Sequence, residues 1–430
     1  MQSHLSDLMK FIDDSPTPYH AVFEASQRLI DAGFYPLRED ASFELSWNQG
    51  YFVISNGSLH AFRTPKSPYF SGFRLLTAHT DSPNLRLKPN AEFQKRDYYQ
   101  IAVEVYGDPL INSWFDRDLS LAGRVFLKEP SGEITSELIR FSRPLFRIPQ
   151  LAIHLDRELA TKGLVINRQD HMSPIGGIRV PMELGMLKQL CATEITCDPE
   201  DILHMELMLY DTNPSAKAGL LGEFILSSRL DNLAMCHAAL SALVAQPGSD
   251  QIPWVSLFDH EEVGSQTTEG AHSESIRRLL FRVLQALDVS KDNIPVCMAE
   301  SACISMDMAH AIHPNYAEKH DPLHSPIING GPVFKVNVSQ RYASDGYLHS
   351  QVTSICDRLE IPYQWYSHRS DLPCGSTLGP IIAAQLGIKT IDIGNPMLSM
   401  HSIREMAGTD DHASIIKAVS AFLKEPSIAR

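Results

Sequence analysis

The chain has 430 residues and a formal net charge of −14, which comes from 37 Lys and Arg against 51 Asp and Glu. This length exceeds what one compact core usually holds, and the 43% hydrophobic and 20% charged shares are typical of a folded globular protein. The acidic balance argues against nucleic acid and anionic membranes as partners. No apolar run reaches the roughly 18 residues that a membrane-spanning helix needs, so we predict no membrane partner.

The cysteines and the N-terminal residues indicate a compartment. Seven cysteines are present, and none forms a CxxC pair. This pattern indicates neither a disulfide framework nor a cysteine-zinc site. The first residues, MQSHLSDLMKFIDD, lack the basic and apolar regions of a signal peptide. We therefore predict a cytoplasmic protein.

The first part of the chain is expected to contain a helix followed by short strands. Thr17 is a candidate helix cap, Pro18 suits a first helical turn, and Gly33 is expected to end the helix. Strands are predicted over residues 51–55, 58–63 and 73–78.

The pattern changes after about residue 84. Short alternating segments such as 100–106 are separated by turn sequences such as Gly107-Asp108-Pro109. We predict that residues 85–223 form a β-rich domain inserted into a catalytic domain made of residues 1–84 and 224–430. Within the insertion, residues 167–177 are expected to form a surface loop.

Helix and strand patterns then alternate to the C-terminus. Helices are predicted over residues 227–243, 273–287, 346–359, 376–386 and 411–423, and strands over 254–258, 296–301, 333–338 and 390–393. This alternation is typical of an α/β protein with a mostly parallel sheet and helices on both faces.

The clearest chemical pattern follows the strand predicted over 254–258, in the sequence Asp259-His260-Glu261-Glu262. Four consecutive ionisable side chains after an apolar strand are costly to bury unless a cation or a proton neutralises them. Ligands of open α/β sheets bind beyond the carboxyl ends of the strands. Of two adjacent glutamates, one can bind a metal while the other moves a proton. Taken alone, such a stretch is more often a solvated acidic turn than a functional site.

Other potential metal ligands also stand near the ends of apolar segments. The full set is His79, Asp231, Glu262, Asp307 and His401. Nitrogen and carboxylate donors without a thiolate suit zinc, cobalt or manganese. Each position is weak alone, because a histidine at a strand end is usually structural and an aspartate at a helix start is usually a cap.

The order of these motifs resembles the aspartyl aminopeptidase family of metallopeptidases, which share a catalytic fold with other co-catalytic zinc exopeptidases. The similarity extends from about residue 15 to about residue 410. Its matching stretches include SPTPYHAV, AHTDSPNLRLKP, SWFDRDLSLAGRV, RIPQLAIHLDR, SSRLDNL, DHEEVGS, MDMAHAIHPNY, GPVFKVNVSQRYAS, DLPCGSTLGPIIA and MHSIREMAG.

The resemblance implies a site for two divalent metal ions, zinc first, with cobalt or manganese as alternatives. Asp231 would bridge the two ions. His79 and Asp307 would complete the ligands of one ion, and Glu262 and His401 those of the other.

Two acidic residues beside these ligands have expected roles, Glu261 from the resemblance and Asp81 from its spacing to His79. Glu261 would be the general base that takes a proton from the attacking water and passes it to the leaving amine. Asp81 is expected to orient the imidazole of His79, which lies two residues earlier. A turn-forming role for Asp81 before Pro83 is compatible with that function.

The implied substrate is a peptide with an N-terminal Asp or Glu. Lys335 and Tyr342 match family positions that contact this acidic side chain, which needs a fixed cation in a closed pocket. Arg341 is a neighbouring cation without an assigned role. His310 and His313 lie close to Asp307 in sequence and are expected to be supporting or structural residues.

The resemblance further implies assembly. His154 matches a histidine that reaches the active site of an adjacent subunit, where it stabilises the tetrahedral intermediate. Members of the family form homododecamers, and the inserted domain 85–223 would serve this oligomerisation.

Three other functions remain open. The first is a related two-metal aminopeptidase, carboxypeptidase or deacylase with a different side-chain preference. The second is a cysteine hydrolase using Cys374 and His401, because Cys374 precedes a predicted helix whose N-terminus would favour a thiolate; it leaves the acidic residues unexplained. The third is a non-enzymatic assembly, which the intact set of ligand residues disfavours.

Overall fold

A computed structural model describes residues 2–182 and 185–426 of the chain. The helices are, in chain order, α1 (Gln2–Asp14), α2 (Pro18–Asp31), α3 (Leu159–Lys162), α4 (Met186–Ile195), α5 (Leu230–Val244), α6 (Ser275–Ala286), α7 (Ile294–Ala299), α8 (Gly346–Arg358), α9 (Leu378–Leu386) and α10 (Asp411–Phe422). Within the described residues, no helix is both long enough and apolar enough to cross a bilayer.

The strands are short and run through the whole chain. In chain order they are β1 (Phe34–Pro36), β2 (Gly50–Ser55), β3 (Ser58–Arg63), β4 (Phe73–His79), β5 (Asn84–Lys95), β6 (Tyr98–Tyr106), β7 (Leu119–Lys128), β8 (Ile134–Arg140), β9 (Ile175–Ile178), β10 (Ile202–Asp211), β11 (Ala216–Ala218), β12 (Phe224–Ser227), β13 (Ile252–Phe258), β14 (Ala302–Met306), β15 (Ala309–His310), β16 (Val333–Val336), β17 (Gln364–Ser367), β18 (Lys389–Gly394), β19 (Pro396–Leu398) and β20 (Glu405–Gly408).

The described residues divide into two compact units. The larger unit contains the residues up to Asp81, Ser215–Met400 and those from Glu405 onward, and the smaller contains Ser82–Pro214 with His401–Arg404. The larger unit is built around a nine-stranded sheet in the order β1-β2-β3-β13-β4-β14-β18-β16-β17. Its centre, β13-β4-β14-β18, is parallel, whereas β3 runs antiparallel to β13 and β16 runs antiparallel to β18. The sheet is therefore mixed with a parallel centre.

Helices cover both faces of this sheet. Successive side chains of a strand point to opposite faces, and every residue of β13 is buried. Val255 and Leu257 pack into one core with α1, α2, α5, α8 and α10, whereas Trp254 and Phe258 pack into a second core with α6, α7 and α9. The predicted α/β fold with helices on both faces is confirmed.

The remaining two sheets are smaller. The smaller unit contains an antiparallel sheet in the order β8-β7-β10-β5-β6-β9, whose core also receives side chains of α4. The larger unit contains a further sheet of very short strands, β11-β12-β20-β19-β15. These strands of two to four residues are too short for periodicity to predict.

Most predicted elements are present with ends shifted by up to three residues, but one strand prediction is wrong and one loop prediction is partly wrong. The segment predicted as a strand over 296–301 is the helix α7, followed by β14. Pro295 in its first turn suits a helix, and a short apolar run does not distinguish helix from strand. The loop predicted over 167–177 ends inside β9, and the helix predicted from 227 begins only at Leu230. The helix capped by Thr17 is confirmed, since the Thr17 hydroxyl oxygen accepts a bond from the His20 N–H.

Candidate metal centre and active site

The site lies at one edge of the main sheet, where neighbouring parallel strands end. Phe258, the last residue of β13, faces His79, the last residue of β4. Because Ser305 on β14 faces Thr77 on β4, Asp307 leaves β14 at the level of His79. The carboxyl ends of three adjacent strands thus deliver their polar residues to one edge, as predicted.

Three of the predicted ligands come together. One ligand atom from each of His79, Asp231 and Glu262 lies within 4.8 Å of the other two. His79 ends β4, Asp231 stands at the start of α5, and Glu262 lies in the short turn after β13. Two ligands at ~2 Å from a zinc ion are up to ~4 Å apart, so a small contraction would close this group around a cation.

The surroundings of His79 favour positive charge. Its Nε2 lies 3.5 Å from Asp231 Oδ1 and 3.9 Å from Glu261 Oε2. Burial opposes a charge on the ring, but bonding to Asp231 and Asp81 outweighs it and holds the pKa of His79 well above its ordinary value. A proton on this ring or a divalent cation against its Nε2 satisfies the same carboxylates. The donor set therefore fits a divalent metal ion.

Asp307 and Glu261 are carboxyl groups with unusual environments. Burial raises the pKa of Asp307 to about 6, opposed by the ammonium of Lys335. Burial also raises the pKa of Glu261 to about 8, with further contributions from the charges of Asp307 and Asp81. A carboxyl group that titrates near neutral pH is suited to accept a proton and return it.

Asp81 does more than the sequence indicated. Its backbone carbonyl oxygen is 3.0 Å from His79 Nδ1, and its Oδ1 is 3.4 Å from the same nitrogen. Its carboxylate also accepts the backbone N–H of Glu261 at Oδ1 and that of Glu262 at Oδ2, each at 3.1 Å. One buried side chain therefore orients the imidazole and holds the turn that carries both glutamates.

Glu405 is a functional candidate that sequence reasoning missed. The backbone N–H of Asp231 donates to Glu405 Oε2 at 3.1 Å, and both residues are buried. The peptide bond that joins Asp231 to Asn232 is cis, and Asn232 Nδ2 donates to the Met306 carbonyl oxygen. The available signal was the acidic residue in MHSIREMAG, a stretch already matched for His401.

Lys335 lies beside this centre. It is 2% exposed, its Nζ donates to the Met308 carbonyl oxygen at 3.1 Å, and it lies 3.8 Å from Asp307 Oδ2. The same Nζ is 5.2 Å from the ring centroid of Tyr342, which is also buried. Burial raises the pKa of the Tyr342 hydroxyl, so this phenol stays neutral. Lys335 and Tyr342 thus form one buried surface beside Asp307, and Lys335 gives this surface a positive charge.

Two other predicted residues belong to the smaller unit. His401 donates from Nδ1 to the Asp108 carbonyl oxygen at 3.0 Å, which fixes the tautomer with its lone pair on Nε2. His154 is exposed, in a turn that also exposes Leu151, Ile153 and Leu155. Their assignments as ligand and catalytic residue remain predictions.

His310 and His313 stand outside the ligand group. The ring of His310 packs edge-on against Tyr366, and burial lowers its pKa to about 4. His313 Nδ1 accepts the backbone N–H of Asn315. Both contacts are those of structural residues.

The chain is similar to known proteins over nearly its whole length. Residues 11–423 match the model of the peptidase M18 family, described as aminopeptidase I zinc metalloprotease. A probable M18 family aminopeptidase 2 of Streptomyces coelicolor is 42% identical over 428 residues, covering 98% of both chains.

Solved structures give the same result for the fold. The Ape4 and Nbr1 complex contains a chain that superposes with a TM-score of 0.94 at 36% identity, covering 98% of this chain and 86% of that one. The S. cerevisiae mApe1 dodecamer superposes with a TM-score of 0.85 at 26% identity, covering 98% and 97% of the two chains.

Proposed function

This chain belongs to the M18 family of aminopeptidase I zinc metalloproteases, and we propose that it removes N-terminal Asp or Glu from peptides. The family makes it a metal-dependent aminopeptidase. The acidic preference and the use of two ions are the proposal. The observation that carries the preference is the buried ammonium of Lys335 beside Asp307.

Five residues would hold two divalent cations, zinc first and cobalt or manganese as alternatives. Asp231 would be shared by both ions, His79 and Asp307 would complete one site, and Glu262 and His401 the other. The contact of His79, Asp231 and Glu262 supports this set. When bound, two such cations polarise the scissile carbonyl and acidify the attacking water.

Glu261 would act as the general base. Its carboxylate lies 3.9 Å from a metal-ligating candidate, His79, yet its neighbour Glu262 and not Glu261 is in the ligand group. Glu261 would take a proton from the water at Oε2 and return it to the amine that leaves. Asp81 supports this role by fixing the backbone of both glutamates.

Lys335 and Tyr342 would receive the acidic side chain of the first substrate residue. A buried carboxylate is costly unless a cation neutralises it, and Lys335 supplies that cation. In the absence of substrate this ammonium is compensated by Asp307 and the Met308 carbonyl oxygen. A substrate whose first residue has a neutral side chain would cover this ammonium without offering it a charged partner. Such a substrate is therefore disfavoured.

The active form would be a homododecamer in which the smaller unit serves oligomerisation. The exposed leucine and isoleucine side chains around His154 support an intersubunit role for this turn. The S. cerevisiae mApe1 dodecamer, at 26% identity, supports the same assembly. His154 would then act on a substrate held by an adjacent subunit.

The absence of disulfides among the described cysteines supports a reducing, cytoplasmic location.

The proposal is tested by hydrolysis of aminoacyl amides with N-terminal Asp, Glu, Leu or Lys and of N-acetylated Asp amide. Each is assayed before chelation, after it, and after zinc, cobalt or manganese is restored. Metal-dependent cleavage of Asp and Glu alone is expected. Metal-dependent cleavage of Leu or Lys instead would favour the related aminopeptidase with another preference, and activity without metal would favour the thiol hydrolase.

A further inference from the structure

A cationic cavity adjoins the Lys335–Tyr342 pair. It has a volume of about 720 Å³ and is formed by residues 336–341, 344, 367–370, 372 and 374. Val336 follows Lys335 on β16, and Ser367 on the neighbouring strand β17 pairs with Val336. Cys374 in its wall packs against the buried cluster that contains Tyr342, whose ring lies 5.2 Å from Lys335 Nζ. Cys374 and Tyr342 therefore connect the wall of this cavity to Lys335.

The charge of this cavity is opposite to that of the chain. Its described lining contains two arginines, Arg341 and Arg369, and one histidine, His368, but no Asp or Glu. Serine hydroxyls and the amides of Asn337 and Gln340 provide further polar groups. In a chain of net charge −14, such a lining is locally positive and is suited to an anion.

The two arginines are not equivalent. Arg369 forms an ion pair with Asp371 outside the cavity and donates to the Glu318 carbonyl oxygen, so its charge is compensated. Arg341 donates from Nε to the Gly375 carbonyl oxygen at 3.3 Å and, among the described residues, forms no ion pair. His368 is bonded through Nδ1 to the Tyr366 hydroxyl, while its Nε2 is buried without a hydrogen-bond partner. Arg341 thus carries the charge available to a ligand.

We propose that this cavity binds a second carboxylate of the peptide substrate and that Arg341 is the residue that selects it. The inference rests on the proposed function and extends it from the first residue to those that follow. Because the side chain of the first substrate residue is assigned to Lys335, such a carboxylate belongs to a later residue of the peptide. It is either an acidic side chain at the second position or the C-terminal carboxylate of a short peptide. A planar guanidinium is suited to hold a carboxylate through two parallel bonds.

The experiment compares three peptides that differ in this charge: Asp-Ala-Ala amide, Asp-Ala-Ala and Asp-Glu-Ala amide. The wild-type enzyme is expected to cleave at least one charged peptide about three- to tenfold better, in kcat/KM, than the neutral amide. Arg341→Ala is expected to lower that ratio to about one and leave the neutral amide unchanged, while Arg341→Lys keeps part of it. The charged peptide that the wild-type enzyme cleaves with a higher kcat/KM than the neutral amide identifies the source of the carboxylate. Arg277→Ala, which removes an exposed arginine of α6, is the matched control.

Binding measured separately from turnover keeps the two proposals apart. Calorimetric affinities of the same peptides are measured on Glu261→Ala protein with and without Arg341→Ala. Cleavage of all three peptides with a ratio that Arg341→Ala does not change would overturn the role of the cavity and keep the proposed function. Absence of Asp-peptide cleavage, with an affinity ratio that still depends on Arg341, would reject the proposed function and support the cavity. A wild-type enzyme without any preference in cleavage or affinity would also overturn the inference.

Discussion

Asp81 and Glu262 are joined by a hydrogen bond of 3.1 Å, in which the backbone N–H of Glu262 donates to Oδ2 of Asp81. The other carboxylate oxygen of Asp81 accepts the N–H of Glu261, and the same side chain contacts His79. A residue expected to orient one imidazole therefore also holds the backbone of a proposed ligand and a proposed base. This relationship connects the ends of β4 and β13.

Replacing Asp81 should weaken metal binding. Asp81→Asn keeps the size of the side chain but presents an amide N–H₂ to one of two backbone donors. We expect zinc affinity to fall about 10- to 100-fold, as for other residues that orient ligands, with a matching loss of activity at limiting zinc. Zinc titration against a chelator of known affinity measures this. Asp40→Asn, at an exposed site, is the control, and an unchanged zinc affinity for Asp81→Asn would contradict the assigned role.

Removal of Glu261 should separate chemistry from structure. Glu261→Ala is expected to lower kcat by about 10²- to 10⁴-fold, because no other carboxylate would take up the proton of the water. Metal content and assembly should stay nearly normal, since Glu261 is outside the ligand group. Elemental analysis and light scattering provide these two controls. Near-normal turnover in this variant would exclude Glu261 as the base.

Lys335→Ala should change specificity more than overall activity. Activity on N-terminal Asp amide is expected to fall by about 100-fold or more relative to Leu amide, because the substrate carboxylate would be buried without its cation. A smaller loss on all substrates is also expected, because Lys335 contacts Asp307. The ratio of kcat/KM values for the two amides measures the specific part, with the exposed Lys291→Ala as control. Equal losses on both amides would remove Lys335 from the pocket.

The role of His154 can be tested by mixing variants. His154→Ala and Glu261→Ala enzymes are each expected to be nearly inactive. If His154 serves an adjacent subunit, random reassembly of equal amounts should restore activity at about one quarter of the sites, since a site needs one intact residue from each of two chains. Activity before and after dissociation and reassembly measures this. A mixture that stays inactive after reassembly would place His154 outside the catalytic machinery of its neighbour.

A chain of hydrogen-bonded ionisable groups, Asp7, His237 and His412, should make stability depend on pH. Asp7 Oδ2 lies 2.9 Å from His237 Nε2, and His237 Nδ1 lies 2.8 Å from His412 Nε2. Burial lowers the pKa of both rings, and His4 adds to this effect at both, as Arg28 does at His237. Asp7 opposes the lowering of the pKa at both rings, at His237 also through its hydrogen bond, without reversing it. Because the folded pKa values lie below the ordinary 6.5, the unfolded chain binds more protons as the pH falls.

The stability contributed by the two neutral rings is therefore present above pH 6.5 and is lost as the pH falls below it. Between pH 7 and pH 5.5 we expect a loss of about 1 kcal/mol for each ring that stays unprotonated. Denaturant unfolding of the wild type and of His412→Asn, at constant ionic strength, measures the difference in slope. A variant with the same pH dependence as the wild type would contradict the effect of His412.

The parts of the site that lie directly after apolar strands could be predicted from sequence. His79 is the last residue of β4, and Glu261 and Glu262 lie shortly after β13; at both places the sequence itself shows the change from apolar to ionisable residues. Asp231 and Asp307 needed the resemblance, because a single aspartate at a helix start or after a strand is common. The structure brings His79, Asp231 and Glu262 together, while His401 and His154 remain predictions.

Contacts that depend on sheet order could not be predicted. Asp81 reaches Glu261 and Glu262 only because β4 lies next to β13, although about 180 residues separate them in the chain. Glu405 meets Asp231 for the same kind of reason. The wrong prediction at α7 has a local cause: its six residues form a short apolar run, and such a run does not distinguish a helix from a strand. The periodicity of the sequence shows which face of a helix or strand is apolar, but it does not show which elements pack against each other.

The position of Lys335 between Asp307 and the Met308 carbonyl oxygen has a thermodynamic consequence. An acidic ligand that draws this ammonium toward itself weakens its hold on Asp307, and a cation bound by Asp307 weakens the same ion pair from the other side. Linkage makes the two effects equal in free energy. Substrate and metal would therefore bind cooperatively, so that an acidic peptide raises the apparent affinity of the enzyme for its ion.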